Sequence, residues 1–172
     1  NANDGLKIIL SGAANMQIKR GNVNQISSTS NNLLLGTSNP YGSPNSTHGV
    51  VLAVGKTYFA GGSLVPPTGG TMLEVVSSTK QSLIESPTGH FVNEIKLAAV
   101  KNDLTYYLTI KYTYDLPDNH FFIDYTVTIP EGNTEEVKLA HGWDTYLQGS
   151  DAGPGFVLGT APNFVVGVKR EP

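Results

Sequence analysis

Two neighbouring segments, residues 104 to 114 and 121 to 129, alternate in side-chain character with period two, and they commit the chain to paired β-strands. In the first, Leu104, Tyr106, Leu108, Ile110, Tyr112 and Tyr114 share one face, opposite Thr105, Tyr107, Thr109, Lys111 and Thr113. In the second, Phe121, Ile123, Tyr125, Val127 and Ile129 oppose Phe122, Asp124, Thr126 and Thr128. Leu116-Pro117-Asp118-Asn119 lies between them, where proline pre-sets a turn position and Asp and Asn suit the next two. The apolar faces carry even numbers in one strand and odd numbers in the other, so paired positions must sum to an odd number. A sum of 235 sets Tyr114 against Phe121, Tyr112 against Ile123, Ile110 against Tyr125 and Leu108 against Val127. Every inward residue then meets an inward residue, as cross-strand stabilisation requires.

The rest of the chain reads the same way. Ile95, Leu97 and Ala99 alternate with Glu94, Lys96 and Ala98, so residues 94 to 101 are predicted as a strand rather than a helix. Further strands are predicted over 6–10, 15–19, 32–35, 50–59, 72–77, 136–140 and 164–169. Turn chemistry separates them at Asp4-Gly5, Asn39-Pro40-Tyr41-Gly42, residues 66 to 70 and Ala161-Pro162-Asn163. Composition agrees: Gly, Pro, Ser, Thr and Asn make up about two-fifths of the 172 residues, and these types weaken helix interiors. The expected fold is all-β, an antiparallel β-sandwich forming a single domain over residues 1–172. The chain opens on Asn1 and stops at Pro172 directly after a strand, so it is expected to be a piece of a longer multidomain protein.

Several function classes lose their basis. A net charge of -3 with only 11 Lys+Arg disfavours a phosphate-tracking surface, so no nucleic-acid partner is expected. No apolar run approaches the roughly 20 residues that span a bilayer, and no membrane insertion is expected. The absence of cysteine removes disulfides, thiolate catalysis and thiolate zinc sites. Gly49 to Thr57 resembles a phosphate loop, but five residues separate its glycines where the motif allows four, and its interior is strand-like. The glycines from Gly153 to Gly159 lack the helix of a dinucleotide site, since Ala161-Pro162 follows. None of His48, His90, His120 and His141 has a histidine at the i+2 or i+4 spacing of a metal pair, and no Gly-x-Ser-x-Gly elbow occurs. A serine triad or an acid pair assembled from distant positions stays open, but no spacing supports either, and the chain is read as a non-enzyme.

The most unusual segment runs from His141 to Phe156. It holds the only tryptophan, Trp143, with Tyr146, Phe156, Asp144, Asp151 and four glycines. One reading is an irregular loop that packs Trp143 and Phe156 as a lid on the core. The other is a ligand loop, in which Trp143 and Tyr146 stack on a sugar or a peptide side chain while Asp144 and Asp151 accept hydrogen bonds. A related expectation is that Asp144 and Asp151, with backbone carbonyls, ligate calcium, although the spacing does not match the twelve-residue calcium loop.

The run Phe121-Phe122-Ile123-Asp124-Tyr125-Thr126-Val127-Thr128-Ile129-Pro130, then Glu131-Gly132-Asn133-Thr134, Val137-Lys138-Leu139 and Trp143 through Phe156, resembles β-sandwich ligand-binding modules of long bacterial surface adhesins. The resemblance covers roughly residues 104 to 169. Such modules include peptide-binding domains that depend on calcium. It implies an extracellular, cell-surface adhesion module that binds a peptide or glycan on a host or neighbouring cell, with further domains of the same long chain beside it. Two alternatives are a structural spacer of a surface protein and an accessory domain of a carbohydrate-active enzyme.

Overall fold

The computed structural model describes residues 5–12, 14–21, 23–26, 48–62, 70–79, 89–145, 155–160 and 163–168. The protein is all-β, with no helix among these residues. Among the described residues thirteen strands run in chain order: β1 (Leu6–Leu10), β2 (Met16–Arg20), β3 (Val23–Asn24), β4 (His48–Val54), β5 (Thr57–Gly62), β6 (Thr71–Met72), β7 (Glu74–Ser78), β8 (His90–Lys101), β9 (Leu104–Asp115), β10 (Phe122–Thr128), β11 (Val137–Trp143), β12 (Gly155–Thr160) and β13 (Asn163–Val168). They form four sheets, ordered β1-β2-β3, β10-β9-β8-β7, β11-β4-β5-β6 and β12-β13.

The long hairpin takes the register that its alternation demands. Tyr112 lies opposite Ile123, Ile110 opposite Tyr125 and Leu108 opposite Val127, so paired numbers sum to 235. The ladder opens at Phe122 with Thr113, one residue inside the expected Tyr114 and Phe121. On its other side β9 pairs with β8 from His90 opposite Asp115 to Lys101 opposite Leu104, a hairpin of two twelve-residue strands closed at Asn102 and Asp103, both at positive φ. The predicted strand over 50–59 divides at Gly55-Lys56 into β4 and β5, because Gly55 turns the chain at a φ of 57°. Its glycines therefore belong to a strand and a hairpin, not to a phosphate loop. The segment predicted over 72–77 also divides, into β6 and β7. β6 lies parallel to β5, the one departure from antiparallel pairing among these sheets. Residues 32–35 and the turns at 39–42 and 66–69 lie outside the described residues.

The two four-stranded sheets share one apolar core. The first supplies Ile95, Leu97 and Ala99 from β8 and Tyr106, Leu108, Ile110 and Tyr112 from β9; the second supplies Val50, Leu52 and Val54 from β4 and Phe59 from β5. Met16 and Ile26 join from the β1-β2-β3 region. Each such aliphatic side chain, removed from water, contributes about 1.5–3 kcal/mol, which holds the period-two faces inward. The edge strand β7 is exposed throughout, and a register shift between Val75 and Ser77 interrupts its pairing with β8.

The chain crosses from one sheet to the other between β10 and β11, and a polar tie fixes that crossing. Tyr106 Oη donates to Asn133 Oδ1 at 2.8 Å, Asn133 Nδ2 donates to the Glu135 carbonyl at 2.8 Å, and Lys101 Nζ meets Glu135 Oε2 at 2.6 Å and the Val54 carbonyl at 2.9 Å. This tie sets where β11 begins and therefore where its far end falls.

Candidate functional site

Strand β11 repeats the alternation of the hairpin. Val137, Leu139, His141 and Trp143 occupy one face, and Lys138, Ala140 and Gly142 the other. Pairing with β4 sets Trp143 opposite His48 and His141 opposite Val50. The inward row that is aliphatic over most of its length thus ends in two imidazoles and an indole.

These three rings and one phenol form a single cluster. The His48 and His141 ring centroids lie 5.3 Å apart at 66°, and His141 and Trp143 lie 4.1 Å apart at 30°. Tyr125, on β10 of the other sheet, meets His141 edge-on at 5.6 Å, and its hydroxyl hydrogen-bonds His141 Nδ1 at 2.5 Å. His141 is therefore clamped between a phenol and an indole. His48 is buried, His141 is partly buried and Trp143 keeps 38% of its surface exposed, so the cluster grades from the core to solvent.

Burial decides the electrostatics. Desolvation lowers His48 to about 3, with the neighbouring His141 adding to the effect, and lowers His141 to about 4, so both rings are neutral at pH 7. Desolvation pushes Tyr125 up to about 12. It raises Tyr112 further, with Tyr125 a second cause, and the buried Tyr112 hydroxyl has no hydrogen-bond partner among the described residues. His141 Nε2 is likewise buried without one. The cluster is uncharged and aromatic, with polar atoms in reserve.

The residues expected to carry function fall in different places. Trp143 ends strand β11 instead of sitting in an irregular loop, Asp144 follows it as an exposed residue, and Phe156 belongs to strand β12. Tyr146 and Asp151 lie outside the described residues. Thr145 makes an isolated bridge with the buried Ile26, which ties the exit from β11 to the N-terminal sheet region. Among the described residues no three His, Cys, Asp or Glu side chains gather. Of the two carboxylates expected to ligate calcium, Asp144 alone lies among the described residues.

The histidines were invisible to a search for short spacings because 93 positions separate His48 from His141. Extending the alternation of residues 136 to 140 through His141 and Trp143 would have placed both on the inward face. His120 is exposed just before β10, with its ring against Phe122.

Comparison of the chain with protein-family models, with curated proteins and with solved structures finds no match.

Proposed function

We propose that this chain is an extracellular adhesion module of two packed β-sheets that binds a glycan displayed on another surface, with Trp143 as the stacking platform. The carrying observation is that Trp143 is exposed yet braced: its indole rests on His141, which Tyr125 holds from the opposite sheet. A rigid aromatic face loses little conformational entropy on binding, and the apolar face of a sugar ring stacks on an indole while its hydroxyls need nearby acceptors. Asp144 is the adjacent exposed carboxylate, and Tyr146 and Asp151 follow within eight residues of Trp143. Of the two ligands that the sequence left open, a glycan is favoured because the apolar face of a sugar ring matches a single flat indole. A calcium contribution through Asp144 and Asp151 remains part of the proposal, tested by adding chelator to the same binding assay.

Because Trp143 is the only tryptophan, its fluorescence reports the platform directly. Titration with a panel of oligosaccharides should shift its emission for at least one, and Trp143→Ala should abolish binding on a glycan array while leaving the fold. Binding that survives Trp143→Ala, or failure on both glycan and peptide arrays, would sink this reading in favour of a structural spacer.

A further inference from the structure

We infer that His48 and His141 form a two-imidazole site for a zinc- or copper-class ion, at the end of the core beneath Trp143. The inference does not rest on the glycan reading.

The first argument is distance. An ion about 2.0–2.1 Å from a ring nitrogen lies about 3.2 Å from that ring's centroid, so two imidazoles on one tetrahedral ion have centroids about 5.2 Å apart. The His48 and His141 centroids are 5.3 Å apart. The separation is the one a shared metal needs, and the strands impose it: His48 and His141 are diagonal neighbours on the inward face of β4 and β11.

The second argument concerns the ring atoms of His141. Its Nδ1 is engaged by the Tyr125 hydroxyl, and its Nε2 is buried with no hydrogen-bond partner among the described residues. In the tautomer that protonates Nδ1, the ring donates to Tyr125 Oη and leaves the Nε2 lone pair for a metal. A metal-bound histidine ordinarily donates its other ring N–H to an oxygen, which fixes its tautomer and orientation, and Tyr125 supplies that oxygen from a different sheet. A buried Nε2 left empty carries a desolvation cost that an ion would remove.

The third argument is chemical selection. Imidazole suits zinc, copper and nickel, whereas calcium and magnesium take oxygen donors. Among the described residues no third His, Cys, Asp or Glu joins the pair, so these residues supply two imidazole ligands. This site is distinct from the calcium site expected at Asp144 and Asp151 in both ligands and metal.

The test uses the intact chain after treatment with chelator. Zinc should bind with one ion per chain and raise the melting temperature, and copper(II) should quench Trp143, which lies against His141; calcium should do neither through this pair. His141→Ala should weaken zinc binding by about tenfold or more, while His90→Gln and His120→Gln, at exposed histidines, should leave it unchanged. If His141→Ala fails to fold, nitrogen-detected NMR of the wild-type histidines decides: zinc must shift the ring nitrogens of His48 and His141. Absence of zinc binding at millimolar concentration, or shifts confined to His90 and His120, overturns the inference.

Discussion

The indole of Trp143 lies on the imidazole of His141, with ring centroids 4.1 Å apart and planes inclined by 30°. The contact joins the most exposed member of the aromatic cluster to one whose titration burial has displaced, so each can be read through the other. A protonated imidazole quenches a neighbouring indole and a neutral one does so far less. With His141 lowered to about 4, Trp143 emission should stay level from pH 8 to about 5.5 and fall only on approach to pH 4. His141→Phe should remove the step. A transition centred near 6.5, the ordinary histidine value, would show that His141 is solvated and the clamp open.

The two buried imidazoles also make stability depend on pH, and the sign follows from their direction. Both are lowered in the folded protein, to about 3 and about 4, while the unfolded chain titrates near 6.5. Below 6.5 the unfolded state binds more protons, so folding stability is complete above that value and is lost as pH falls towards 4. Denaturant midpoints measured in chelated buffer should decline between pH 6.5 and 5, where most carboxylates are still ionised, with an uptake of about two protons on unfolding. His141→Phe should reduce that uptake by about one. A flat profile across this window would contradict the burial of both rings.

The parts of this fold that were legible in sequence are those where local alternation and pairing coincide. The register of the β9–β10 hairpin is legible because both strands alternate strictly and inward residues meet only where paired numbers sum to an odd value. The strand Leu6–Leu10 was likewise readable from its run of apolar residues. The division at Gly55-Lys56 was hidden because Val50 to Phe59 is apolar on both sides of the turn, and only a positive φ marks the break. The cluster was half legible. Trp143 stood out as the single tryptophan, but His141 beneath it is held by residues of β4 and β10, and no local pattern links His48, Tyr125 and His141. Non-local pairing, which periodicity cannot see, assembled them.

Gly55 and Gly21 offer a controlled comparison, since both turn the chain in the left-handed region, at φ of 57° and 58°. Alanine at either position incurs a backbone penalty of about 1–2 kcal/mol. At Gly21 nothing lies within 4 Å of the added methyl. At Gly55 the methyl meets the Glu135 carboxylate, whose partner is Lys101, and so disturbs the tie that fixes the start of β11. Gly55→Ala should therefore lower the denaturant midpoint more than Gly21→Ala, and Glu135→Ala should relieve the excess in a double-mutant cycle. Equal costs at the two glycines would remove the tie from the account.

Tyr114 connects elements that sequence separates by more than a hundred residues. Its hydroxyl accepts a hydrogen bond from the Leu6 amide at 2.7 Å and donates to the Asp118 carbonyl at 3.1 Å, so one oxygen links the start of β1 to the turn after β9. The ring is buried and stacks beside Phe91, so removing the oxygen leaves the packing in place. Tyr114→Phe should cost about 1–2 kcal/mol, because the partly buried Leu6 amide is left without its acceptor. Hydrogen exchange should localise the effect. The Leu6 amide should exchange at least about tenfold faster in the variant, as a lost bond of this size predicts, while Leu108 and Ile110 amides in the central strand keep their protection. Uniform loss of protection across β9 would instead mean that the ring holds the hairpin core and that the hydroxyl contributes little to docking β1.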